Sequence, residues 1–300
     1  MSSSRQTQTF LIERMKEAGI RPHGQHGQNF LIDLNLHDLI VRTASLGPKD
    51  VVLEIGTGLG SLTARVAQLT AAVVTVEIDP RLFALASEEL AGLANVTMLQ
   101  QDALKNKNTI HPTLLEAIHQ KLDAHPGSHL KLVANLPYNV ATPILSNLLT
   151  IDPVPVSMTA TIQKELADRI VARPGSKDYS ALSIWMQALC AMEVVREMPP
   201  QVFWPRPKVH SAIIHILPNP AKRAGFADLR FFHDFIRALF FHRRKFLRGV
   251  LVSTYRDQLD KSTINEILAP FHLPPDARAE QLDVKTLIGL SKAVRSRLNA

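Results

Sequence analysis

The sequence predicts an α/β fold, a doubly wound and mostly parallel sheet, followed by a smaller all-helical domain. Short apolar runs of strand length recur at Val51, Ala72, Val96 and Leu130, separated by glycine-rich turns or helical periodicity. These runs lead in order into Gly56, Glu77, Asp102 and Asn135. All four therefore fall on one sheet edge, the carboxyl end, where open α/β sheets place their ligands. Beyond Pro218 no strand pattern returns, so the expected division is 1–218 for the sheet domain and 219–300 for the helical one.

Composition narrows the classes. The 300 residues are 46% hydrophobic, enough for one large core and a second smaller one. A single cysteine excludes an internal disulfide framework, and Cys190 follows an apolar helical run that assigns it to the core. No apolar stretch reaches the roughly 18 residues of a membrane helix, and the Ser/Gln-rich start lacks a signal-like apolar segment. A cytoplasmic protein without a membrane partner is expected. The net charge of +7 is concentrated: between Ala221 and Val250 eight basic residues face two acids, interleaved with phenylalanines. A solvated basic face is the ordinary explanation of such a run. Its localisation also suits a phosphate-binding surface, with Arg243, Arg244, Lys245 and Arg248 at its centre.

Along the chain, Phe10 to Ala18 has the spacing of an amphipathic helix, with Phe10, Leu11, Met15 and Ala18 on one face and Gly19 as its stop. His23 to Leu31 is rich in glycine and amides and reads equally as a ligand-approaching loop or a connector. The strand Val51–Ile55 enters E-I-G-T-G-L-G-S-L-T, with Gly56, Gly58 and Gly60, and then a helix over 62–69. Strand, glycine turn and helix start form a nucleotide cradle. The next strand, Ala72–Ile78, ends in V-E-I-D and puts Glu77 where a carboxylate grips ribose hydroxyls. Val96–Leu99 leads to Q-Q-D-A, placing Asp102 to accept from an adenine amino group. Histidines 111, 119, 125 and 129 are too irregularly spaced for a metal site, and 114–122 reads as a crossover helix.

The fourth strand delivers Asn135, Leu136, Pro137 and Tyr138. A Pro-terminated strand with a turn is the plain reading. The chemical reading concerns an adenine N6, whose lone pair is delocalised into the ring. Two acceptors on its N–H bonds, the Asn135 oxygen and the Pro137 carbonyl, favour pyramidalisation, while Tyr138 offers a stacking face. A helix over 143–149 and a fifth strand, Met158–Ile162, follow, running into the helix start Q-K-E-L-A-D-R-I. Arg173 to Ser180 is a loop able to flank a substrate. Met198 to Ile216 combines a proline-stiffened aromatic loop with a closing strand. Phe203 or Trp204 is a second stacking face, unless both only pack against the prolines. After a linker at 219–225, helices are expected over 231–252, 262–268 and 284–298.

A dinucleotide dehydrogenase shares the first two strand-end signals. The turn here is G-x-G-x-G, however, and Asn135, Pro137 and Tyr138 have no part in hydride transfer. S-adenosyl-L-methionine accounts for more of the residues.

From Gly27 to Val284 the chain resembles the ribosomal RNA adenine N6,N6-dimethyltransferases, and within them the small-subunit branch. G-Q-N-F-L, E-I-G-T-G-L-G-S-L-T, V-E-I-D, Q-Q-D-A, N-L-P-Y-N, Q-K-E, P-R-P-K-V-H-S, H-R-R-K and R-A-E carry the likeness. The resemblance implies a Rossmann-like domain with a seven-stranded, mostly parallel sheet whose last strand is antiparallel, and a helical RNA-binding domain. It implies S-adenosyl-L-methionine as cofactor, held by Asn29, Leu31, Gly56, Gly58, Glu77, Asp102 and Asn135, with Asn135 to Tyr138 at the target base. It further implies a monomer that dimethylates two adjacent adenosines near the 3′ end of 16S rRNA in a small-subunit precursor particle. Related readings are a 23S rRNA methyltransferase or a mitochondrial transcription-factor relative, and a different class is an rRNA-binding assembly factor with dispensable catalysis. Departures from the family pattern are His26, His210, Gly249 and a longer segment before Leu130.

Overall fold

The computed structural model describes residues 8–17, 19 and 28–299. The loop residues His23 to Gly27, with His26, and Ala18 lie outside them, as do the side chains of Phe10 and Leu11. Two compact units form, one of residues 1–167 with 192–218, the other of 168–191 with 219–300. The division differs from a single boundary at 218, because 168–191 carries a helix that packs on the C-terminal helices.

Seven strands build the sheet of the first unit: β1 Asp50–Ile55, β2 Ala72–Glu77, β3 Val96–Gln100, β4 His129–Asn135, β5 Ser157–Gln163, β6 Cys190–Met198 and β7 Ser211–Pro218. Their order is β3-β2-β1-β4-β5-β7-β6. Strands β3, β2, β1, β4 and β5 run parallel, and β7 is antiparallel to β5. All six residues of β1 and of β2 are buried, as expected where helices cover both faces of a parallel sheet. Each fully buried Val, Leu or Ile contributes about 1.5–3 kcal/mol, so these central strands hold the site's frame.

The helices are α1 Gln8–Glu17, α2 Leu34–Ala44, α3 Ser61–Ala67, α4 Pro80–Leu90, α5 Pro112–Ala124, α6 Ala141–Asn147, α7 Lys164–Val171 and α8 Ala181–Leu189. After β7 come α9 Pro220–Ala224, α10 Leu229–Phe241, α11 Leu247–Thr254, α12 Lys261–Leu268 and α13 Val284–Leu298. Two differences from the sequence expectation stand out. Strand β6 carries polar residues on an edge (C-A-M-E-V-V-R-E-M) and gives no clean alternation. The helix expected over 231–252 is two helices, α10 and α11, because the chain turns at 242–245, where Lys245 N donates to the His242 carbonyl. Leu247 N is then captured by the Ala277 carbonyl at 2.7 Å. No helix among the described residues is long and apolar enough to cross a membrane.

One acid lies wholly inside this frame. Glu54 of β1 accepts hydrogen bonds from the Thr63 and Thr75 hydroxyls, and Thr57 reaches Thr75 in turn at 2.7 Å. Burial pushes its carboxyl up to about 8, against the pull of both threonines. The native state therefore holds a proton that the unfolded chain releases near 4.5. That contribution to stability is complete below about 4.5 and is lost as pH rises through about 8. Replacing Glu54 with Gln is expected to flatten the pH dependence of Tm across that window, and an unaltered slope in thermal melts refutes the assignment.

Candidate active site

A cleft with about 770 Å³ of empty space opens at the carboxyl ends of β1, β2, β3 and β4. It draws Asn29, Gly56, Gly58, Glu77, Asp102 and Asn135 together from segments up to a hundred residues apart. The positive φ of Gly56 (+87°) and Gly58 (+58°) explains the glycines. A Cβ on Gly56 would stand 3.4 Å from the Pro137 ring, so the first turn fits directly against the Asn135–Tyr138 turn.

Glu77, at the end of β2, is fixed by its backbone neighbours. One carboxylate oxygen accepts from Gly58 N at 2.9 Å and the other from Asp79 N at 3.0 Å. Burial raises its carboxyl above the usual range while those two bonds pull it back. Asp79 caps α4; partial burial works to raise its carboxyl, yet the Arg81 and Leu82 donors outweigh this and hold it low. Asp102 accepts from Leu104 N at 2.8 Å.

Asn135 donates its amide N–H to the Asn29 carbonyl at 2.9 Å, which orients the side chain and leaves its oxygen for a ligand. The carbonyl of Pro137 does not match its expected role: it accepts from both Val140 N and Ala141 N, each at 3.1 Å, and so closes the turn into α6. The Leu136 carbonyl has no such partner among the described residues, whereas its N–H is tied to the Thr161 carbonyl at 3.1 Å. Tyr138 is half-buried, and its hydroxyl meets the buried Ser211 hydroxyl at 2.5 Å.

Other expected residues fall elsewhere. Leu31 is buried in the core and its carbonyl is 3.0 Å from His37 Nε2, so Phe30, not Leu31, lines the cleft. Phe203 pairs with Leu31 in a two-stranded ribbon and is 2% exposed, which removes it as a stacking face. Trp204 packs with the cluster around Met15 and Leu82. Cys190 is buried with its thiol pushed up to about 12 by burial, a core residue. No metal-ligating cluster occurs among the described residues.

Three contributors escaped the sequence reading. Ile78 lines the cleft yet is 45% exposed, a flat aliphatic surface beside Glu77; its place in V-E-I-D was the available signal. Leu82 adds to the same wall. The amide nitrogen of Gln101 is buried without a partner among the described residues, a donor available to a ligand.

In the helical unit the basic cluster divides. The Arg243 guanidinium is spent internally, on Glu280 at 3.4 Å and on the Lys177 and Tyr179 carbonyls at 3.2 and 3.4 Å. Arg248 donates to Asn265 at 2.7 Å. Arg244 and Lys245 are exposed, and their side chains have no partner among the described residues.

A sheet in this order, with a glycine cradle at β1, an acid ending β2 and a second acid after β3, defines a Rossmann-like S-adenosylmethionine-dependent methyltransferase. The residues fit that cofactor: a carboxylate for the ribose, an aliphatic wall and Asp102 for the adenine, and backbone bared by glycines for the amino-acid end. Residues 20–288 match the family model described as ribosomal RNA adenine dimethylase, and the chain belongs to that family. A ribosomal RNA small subunit methyltransferase A of Bacillus cytotoxicus is 39% identical over 270 residues, 89% of each chain. One of the same name from Halothermothrix orenii is 36% identical over 282 residues, 94% of this chain and 91% of its own. A solved dimethyladenosine transferase from Plasmodium falciparum shares the fold, with a TM-score of 0.73 at 23% identity over 88% of this chain and 97% of that one.

Glu77→Ala removes the ribose acceptor and strands two backbone donors. Cofactor binding measured by calorimetry is expected to weaken by about 1.5–3 kcal/mol, the scale of a charge-assisted hydrogen bond. Unchanged affinity would remove Glu77 from the site.

Proposed function

We propose that this protein dimethylates N6 of two adjacent adenosines near the 3′ end of 16S rRNA, as a cytoplasmic monomer acting on a small-subunit precursor particle. The observation that carries the reading is the Asn135 side chain, pinned by Asn29 at the edge of the cofactor cleft and adjoining the Leu136 carbonyl, which has no backbone partner among the described residues. The likeness to small-subunit methyltransferases over nine-tenths of the chain supports the choice of rRNA.

The cofactor, when bound, supplies an electrophilic sulfonium methyl group. Asn135 Oδ1 and the Leu136 carbonyl, in place of that of Pro137, accept the two N6 hydrogens and draw the amine out of conjugation. Tyr138 stacks on the extruded base, its ring angle set through Ser211. The amine turns strongly acidic once methylated, so its proton passes to water and no dedicated base is needed.

In the helical unit Arg244 and Lys245 hold rRNA phosphates. Changing both to Gln is expected to weaken RNA binding and lower the slope of log affinity against log salt by about two charges' worth, with cofactor affinity intact. The same slope in the variant would make the pair a merely solvated face. Function itself is tested by primer extension across 16S and 23S rRNA from cells with and without the protein. Paired stops near the 16S 3′ end that depend on the protein support the reading; a dependent stop in 23S rRNA, or none, overturns it.

A further inference from the structure

Among the described residues only two large aromatic side chains are strongly exposed, and both flank one basic turn. Phe241, the last residue of α10, is 83% exposed, and Phe246, just before α11, is 50% exposed. The other phenylalanines of α10 each have a ring to pack on. Phe232 lies against Trp185 and Phe226, Phe231 against Phe235, and Phe240 meets Tyr179 edge-on at 5.9 Å. Phe241 meets the His242 ring edge-on at 4.8 Å, and over Phe246 stands the Arg278 guanidinium at 5.7 Å. Burial is forgone at these two positions, whereas Phe232 and Phe235 of α10 are buried.

The backbone that bears them is held in place. Lys245 N closes the turn onto the His242 carbonyl at 2.8 Å, Phe246 pairs with Arg278 in a β-bridge, and Arg243 ties the turn to the Lys177 and Tyr179 carbonyls. Arg244 and Lys245, whose side chains have no partner among the described residues, sit between the exposed rings. Exposed aromatic faces on a rigid turn with uncommitted cations beside them match the requirements of unpaired nucleotides, whose bases stack on rings while their phosphates meet the charges. A duplex keeps its base faces covered and gains nothing from such rings.

We infer that Phe241 and Phe246 form a stacking platform for unpaired RNA bases, with Arg244 and Lys245 holding the flanking phosphates. The inference rests on the helical unit's being an RNA interface, and adds that the RNA it grips there is looped or single-stranded. Neither ring is among the residues that line the cofactor cleft.

The test uses the full chain and two probes, an unstructured single-stranded oligoribonucleotide and the perfectly paired duplex of the same sequence. Phe241→Ala with Phe246→Ala is expected to weaken single-strand binding by on the order of tenfold or more. Duplex binding and the salt slope should stay as in the unaltered chain. Leu at both positions, apolar but unable to stack, should behave as Ala does, and Trp should restore binding with quenched emission when the oligonucleotide is added. Full single-strand affinity in the Ala and Leu variants overturns the platform, as does equal loss for strand and duplex. A variant that retains RNA but loses adsorption to phosphatidylglycerol vesicles would make the rings a lipid contact and also overturn it. If Arg244→Gln with Lys245→Gln flattens the salt slope while the Phe variants bind normally, stacking alone has failed. If the unaltered chain binds neither probe, the RNA reading of the unit has failed with it.

Discussion

Asn135→Ala is expected to slow single-turnover methyl transfer by roughly 10²-fold or more, comparable to the loss of one preorganised oxyanion donor. Two things disappear together. The N6 acceptor goes, and so does the hydrogen bond at 2.9 Å that ties the end of β4 to the Asn29 carbonyl. The second loss also touches the cofactor side, because Asn29 lines the cleft. Calorimetry therefore belongs beside the kinetics: a modest fall in cofactor affinity with a large fall in rate at saturating cofactor is the expected pattern. Affinity for rRNA should barely move, since the phosphate contacts are assigned to Arg244 and Lys245. A rate within a few-fold of the unaltered enzyme, measured with both substrates saturating, would sink the proposed role.

How much of this site could be read from the chain depends on the range of the interaction concerned. A strand that ends in a polar residue is a local signal, so Glu77, Asp102 and Asn135 were legible as members of one edge, and the glycine turn identified the first strand of the cradle. Long-range partners were not legible. Phe203, in a loop with four prolines, reads alike as a free ring or a packed one, and the deciding contact is Leu31, far earlier in the chain. Arg243 looked equivalent to Arg244 because its partners Lys177, Tyr179 and Glu280 lie in other segments. The Pro137 carbonyl was misassigned for a different reason. Whether a carbonyl is available depends on which N–H groups the following turn turns back toward it, and here Val140 and Ala141 occupy it. The same limit hid β6, an edge strand stabilised by its neighbour β7 more than by its own pattern.

Tyr138→Ala should lose much of the methyl-transfer rate, on the order of tenfold to a hundredfold, because base–aromatic stacking contributes about 1–3 kcal/mol to holding an extruded base. The hydroxyl has a different task. Burial raises the Tyr138 phenol above its ordinary value, with the Ser211 bond pulling the other way, so at neutral pH it is a neutral group and no proton acceptor. Its 2.5 Å contact with Ser211 ties the ring to β7 and limits rotation out of the stacking plane. Tyr138→Phe keeps the ring and should retain most of the rate, with a small loss that Ser211→Ala reproduces. The double variant should lose no more than either single one, since both remove the same hydrogen bond. A phenolate acting as base would instead make the Phe variant as inactive as the Ala variant and give the native enzyme a rate that climbs above pH 10. Single-turnover kinetics of the Ala and Phe variants and the pH profile separate the two accounts, and a dead Phe variant would overturn the stacking role.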